Sequence, residues 1–233
     1  MMTLLDRYLK GETVEVYEEL LVLGQEAFSS KNFIQIDLIL KETFKRVQLN
    51  LDIIYNELKN IDYKFVSPTE YDWQIPVLPP DPDVDLLLVK LKSKLKHAGY
   101  IPLSLEYFYR IVGSCNFCWD WKMYPDIPWE GADPIDIPPI KTLLTDLIYD
   151  DYDLNEILLA GDYLQKDNIS GSCYNLELTA SPSIDSLLIG WDIPFINYLR
   201  LTFKNCGFTR ADQCKYETLN AFCNTVRPKL LAI

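Results

Sequence analysis

The chain has 233 residues, 48% of them hydrophobic, enough to bury a core without help from metals or disulfides. Its 34 acidic residues outnumber 22 basic ones, and the formal charge of -12 discourages contact with nucleic acid or anionic lipid, both polyanions. No run approaches the roughly 18 to 20 apolar residues of a membrane span. Met1 to Lys10 lacks the cationic start and apolar block of a secretory signal, so a cytoplasmic setting is expected.

The N-terminal part, residues 1–66, reads as helical. Thr13 to Ala27 sets Val16, Leu20, Leu23 and Ala27 on one face, and Glu15, Glu18 and Glu19 lie early, where the helix dipole favours acid. After Ser29 and Ser30, Asn32 is placed to cap a second helix running to Asn60. Along it Phe33, Ile36, Leu40, Phe44, Val47, Leu51, Ile54 and Leu58 recur at steps of three or four. That stripe is either a packing face or a seam through which copies assemble.

Residues 67–83 hold Pro68, Pro76, Pro79, Pro80 and Pro82, the composition of an extended linker. Residues 84–233 then form the remaining unit. Val84 to Ala98 predicts a helix with Leu87, Leu88, Leu91 and Leu95 buried, acid at its start, lysines toward its end and Gly99 to stop it. Gly99 to Phe117 reads as a turn, a proline-started helix and a glycine exit into a strand.

Glu156 to Leu164 and Tyr174 to Leu178 flank a turn-forming segment, 165–171, and predict a hairpin. Helical spacing returns over Trp191 to Asn205 and Ala211 to Arg227. Helices, a small mostly antiparallel sheet, then helices define an α+β fold.

Ile101-Pro-Leu-Ser-Leu-Glu-Tyr-Phe-Tyr-Arg-Ile-Val-Gly113 resembles the proline-started helix and glycine exit of the SUKH superfamily. Ile157-Leu-Leu-Ala-Gly-Asp162, a loop with Ser170-Gly171, and Cys173-Tyr-Asn-Leu-Glu-Leu178 resemble that family's paired central strands. The likeness spans roughly Val84 to Leu178 and leaves the N-terminal helices outside. Ser114 and Ser172 stand where a second glycine is more usual. The resemblance implies a binding module without shared catalytic residues, used by bacteria as toxin-neutralising immunity proteins and elsewhere as an adaptor. The whole chain also resembles a group of uncharacterised bacterial proteins.

Few residues offer chemistry. Cys115 and Cys118 have metal or redox spacing but no second pair completes a zinc site, so the six cysteines read as packing thiols. Asp151, Asp153, Asn155 and Asp162 fall at positions 1, 3, 5 and 12 of a calcium loop, yet Glu156 occupies the obligatory glycine position. His97 is the only histidine, and no nucleophile elbow, phosphate loop or dinucleotide fingerprint is present, so no cofactor is expected. Glu130 and Asp133 are a carboxylate pair of the kind that hydrolyses a glycosidic bond, the basis of an alternative hydrolase reading near Trp129.

Residues 126–167 carry eleven carboxylates against Lys141 and Lys166. Among them and just before lie Trp119, Trp121, Tyr124 and Trp129. Trp119 and Trp121 read as core, while Trp129 is open between core and contact surface. Rigid aromatics beside acid suit recognition of a basic protein partner. The expected contact residues are Trp129, Glu130, Asp133, Asp150, Asp151 and Asp153.

Overall fold

The computed structural model describes residues 2–66, 75–149, 155–160 and 174–233. Among them are eight α-helices and two small antiparallel sheets, the α+β architecture expected.

A capping box formed by Thr3 and Asp6 starts α1 (Leu4–Leu9), and α2 (Thr13–Val22) follows. The helix expected to reach Ala27 ends sooner. Gly24 takes a left-handed φ of 50°, and the chain tightens into a 3-10 turn, Gly24–Phe28.

Helix α3 (Ser30–Asn60) is the long element, 31 residues and about 46 Å at 1.5 Å per residue. Its sequence-predicted start is one turn late. Ser29 is the extended residue before the helix, and Asn32 lies in its first turn, donating to the Glu26 carbonyl at 2.9 Å. The apolar stripe from Ile36 to Leu58 is fully buried, while ion pairs Asp37–Lys41 and Glu42–Arg46 dress the flank at i,i+4 spacing. The stripe therefore has no surface left for assembly of copies; it is spent on the chain's own core. Phe44 meets Phe108 edge-on, and Phe108 meets Phe195.

Within 67–83, the linker reading fails for Val77–Leu78, which form β1. Extended backbone compatible with flanking prolines is also strand backbone, and here it finds a partner. Helix α4 (Val84–Leu95) buries its four predicted leucines. Pro102 precedes α5 (Leu103–Ile111), Gly113 turns the chain at φ 95°, and β2 (Ser114–Asn116) follows, as the sequence indicates. A Cβ on Gly113 would stand 2.3 Å from the Leu78 carbonyl oxygen, so glycine lets β1 and β2 close.

Strand β3 (Asp136–Ile137) completes the first sheet, ordered β1-β2-β3, with Cys115 opposite both Val77 and Ile137. Helix α6 (Ile140–Tyr149), which follows Pro138 and Pro139, was not expected. The predicted pair appears as β4 (Glu156–Ala160) and β5 (Tyr174–Glu177), with Ile157 opposite Leu176. Two further strands, β6 (Leu187–Ile189) and β7 (Ile193–Pro194), extend this second sheet in the order β4-β5-β6-β7. Strand β7 occupies the start of what reads as one helix from Trp191; α7 begins only at Phe195 and ends at Lys204. Helix α8 (Glu217–Val226) closes the fold after a 3-10 turn, Ala211–Gln213.

Asp185 joins several of these elements. Its Oδ1 accepts from Ser104 Oγ at 2.6 Å and from the Ser186 amide, and its Oδ2 accepts from the Ile196 amide at 3.0 Å. One buried carboxylate thus fixes the starts of α5 and α7 to the strand between them.

Candidate functional site

Two of the rings that the sequence singles out, Trp119 and Trp129, do gather, but with rings and acidic neighbours from other parts of the chain. Tyr63 follows the end of α3; Trp119 and Trp129 lie on the long β2–β3 connection; Phe222 comes from α8. Ring centroids are 5.0 Å apart for Tyr63–Trp119, 5.5 Å for Tyr63–Trp129 and 5.4 Å for Trp129–Phe222. They wall a cavity of about 500 Å³, whose lining also includes Glu57, Asp62 and Thr218.

The polar atoms of these rings are already used. Tyr63 Oη donates to the Phe117 carbonyl at 2.9 Å, Trp119 Nε1 to the Tyr124 carbonyl at 2.6 Å, and Trp129 Nε1 to Thr218 Oγ1 at 3.0 Å. Burial pushes the Tyr63 phenol well above its ordinary value, so it stays neutral. The rings are thereby oriented, and what remains for a guest is their faces and edges. The negative face of an aromatic ring attracts a cation.

Both charged residues of the lining are carboxylates. Glu57 holds Lys229 Nζ at 2.8 Å, and Asp62 pairs with Lys64. Lys64 Nζ also lies 5.7 Å from the centroid of the Tyr124 ring. The carboxylates at this pocket thus already hold the chain's own ammonium groups.

The sequence-predicted contact residues divide. Trp129 lines this pocket, although it is 95% covered and is part of the core as well. Glu130 is exposed on the neighbouring turn and does not line it. Asp133 is a correction: it is 0% exposed, held at φ 58° behind Gly131, and offers no surface to a partner. Asp133 is enclosed while Glu130 faces solvent, and neither lines the pocket. Asp136 is likewise buried, which takes a second carboxylate out of the expected acidic face. Asp150, Asp151 and Asp153 lie outside the described residues, as do Asp162 and Asp167. Trp119, expected in the core, is half-buried and forms a pocket wall.

Glu57, Asp62 and Tyr63 are the residues that sequence reasoning missed. The local signal was an acid–aromatic step, Asp62-Tyr63, directly after the helix. Nothing in its spacing ties it to Trp129 or Phe222.

Cys115 and Cys118 are buried as read. Cys206 and Cys223, far apart in sequence, meet: Cys206 Sγ donates to the Cys223 carbonyl at 3.4 Å. Hydrogen bonding between their thiols pushes Cys206 upward and draws Cys223 down. Among the described residues, no group of three or more acidic, histidine or cysteine side chains is placed to hold a metal, and no helix is long and apolar enough to cross a membrane. Comparison of the chain with protein-family models, with curated proteins and with solved structures finds no match.

Proposed function

We propose that this protein is a non-enzymatic binding module that takes a basic segment of a protein partner at the aromatic pocket. The observation that carries this reading is the set of four rings with their polar atoms already bonded, edged by Glu57 and Asp62. Preset rings contribute contact area without losing side-chain freedom on binding, and carboxylates at the mouth steer and orient a cation. A lysine or arginine side chain entering the pocket exchanges places with Lys64 or Lys229 at those carboxylates, so charge is conserved at the mouth.

The finer form of the reading is an immunity-type protein that neutralises its partner by occlusion. Support comes from the SUKH-like elements in the expected order: the proline-started α5, the turn at Gly113 into β2, and the paired β4 and β5.

The test is titration of the protein with an arginine-rich peptide, followed through tryptophan fluorescence. Saturable quenching that weakens as salt rises is expected, because screening removes the steering contribution. Trp119→Ala should weaken binding and leave only the smaller optical response of Trp129, and the double variant Glu57→Gln/Asp62→Asn should weaken binding about tenfold. Binding that ignores both carboxylates, or no saturable binding, would refute the reading.

A further inference from the structure

A second cavity, of about 520 Å³, lies at the other end of α3 and has the opposite charge. Lys92 and Lys96 from the end of α4 and the segment after it, with Arg110 from α5, line it against a single carboxylate, Glu106. Three cations gathered around one cavity stand out in a chain whose formal charge is -12.

Glu106 pairs with two of them, Lys92 and Arg110, and fixes their positions. Its side chain is only 5% exposed, and it holds Lys92 Nζ at 2.6 Å and Arg110 Nη1 at 3.1 Å. Arg110 is fixed from its other side by Asp85, 2.8 Å from Nε. Lys92 and Arg110 are thus matched by Glu106 and Asp85, and the net positive charge of the wall is that of Lys96. Lys96 has no ion pair among the described residues.

The rest of the lining is mostly apolar, with hydroxyls only on Tyr100, Tyr107 and Ser183. Phe28, Phe33, Ile101 and Leu103 supply the walls, and Gly99 lets the backbone close in, since a Cβ there would stand 2.9 Å from the Thr179 carbonyl oxygen. Tyr107 spends its hydroxyl on Asp37 at 2.6 Å and offers the cavity only its ring.

We propose that this cavity binds a small organic anion: an apolar body carrying one carboxylate or phosphate head. The head meets Lys96 and Lys92 at the cationic wall, and the body packs between Phe33 and Leu103. An apolar body alone would leave Lys96 without a counter-charge, and inorganic phosphate alone would leave the aromatic walls bare. The site is separate from the aromatic pocket and does not depend on what that pocket binds.

Calorimetric titration of the full chain with 4-phenylbutyrate, phenyl phosphate and the uncharged 4-phenylbutanamide tests this. One saturable site is expected for at least one of the anions, with the amide weaker by about tenfold, the scale of one lost charge-assisted contact. The preference between the two anions identifies the head group. Lys96→Gln should weaken the anion about fivefold, and Phe33→Ala should weaken anion and amide alike. Lys94→Gln, on the same helix but outside the lining, should leave binding unchanged. No saturable binding by any of the three up to about 5 mM would overturn the proposal. Equal affinity for butyrate and amide would overturn it as well, as would equal losses in Lys94→Gln and Lys96→Gln.

Discussion

The two cavities are nearly equal in volume and opposite in construction. The aromatic pocket is made of rings fixed by hydrogen bonds, with its carboxylates at the edge. The cationic cavity is made of charges fixed by an inner carboxylate, with its rings as passive walls. In the first, the ring faces proposed to meet a cation are held by hydrogen bonds; in the second, carboxylates hold Lys92 and Arg110, while Lys96 has no ion pair among the described residues. The net charge of -12 therefore describes the lining of neither cavity.

The sharpest way to break the contrast is to remove a locked ring. Trp129→Ala deletes contacts with Tyr63, Phe208 and Phe222 and leaves Thr218 without its donor. A loss of about 3–5 kcal/mol in denaturant-induced unfolding is expected, with collapse of the aromatic pocket.

Next in size is Asp185→Asn, which acts beside the cationic cavity, where Leu103 and Ser183 are lining residues. Asparagine supplies one acceptor oxygen where the structure uses two, so an amide hydrogen faces a backbone donor and about 1–3 kcal/mol should be lost. The loss should also depend on pH. Burial raises the Asp185 carboxyl above its ordinary 3.8, against the pull of its hydrogen bonds. The folded protein then holds that proton more tightly than the unfolded chain. The stabilisation is complete below about 3.8 and fades as pH rises through the folded value. Unfolding measured across that range should show the gap between wild type and variant narrowing as pH rises; a gap that widens would reverse the assignment. Peptide binding at the aromatic pocket should survive this substitution.

A smaller effect sharpens the contrast in binding. Glu57→Gln/Asp62→Asn should lower peptide affinity about tenfold and leave 4-phenylbutyrate untouched, while Lys96→Gln should do the reverse at about fivefold. Cross-effects would mean that the two cavities are not separately selective. Smallest of all, Lys94→Gln should leave both affinities where they are.

Much of the scaffold was legible because its punctuation is local. Pro102 and Gly113 bracket α5, and the three-and-four stepping from Ile36 to Leu58 defines α3 without help from the rest of the chain. The β6–β7 hairpin was missed because its strands are two and three residues long, too short for an alternating pattern to register. Gly190 and Asp192, both at positive φ, were the available turn signal.

The site was legible by half. Tryptophan beside acid pointed toward Trp129, whereas Trp119, read as core, is a pocket wall. Which carboxylates stand beside them is a tertiary fact: the abundant acids of 126–167 include the buried Asp133 and Asp136, whereas Glu57 and Asp62 arrive from the end of a helix read only for its apolar stripe. The cationic cavity was hidden for the same reason, since the lysines of α4 read as a solvated, dipole-matched helix end.

Helix α3 has Phe33 at one cavity and Glu57 at the other, about 36 Å apart along its axis at 1.5 Å per residue. No glycine or proline interrupts it, and its stripe is clamped in the core. It therefore works as a strut. Two guests seated at its ends are too far apart to collide or compete, and a fluorophore pair placed at the two mouths would report one fixed separation with either, both or neither present. On such a strut, the proposed basic segment and small anion would be carried at the same time by a single copy of the chain.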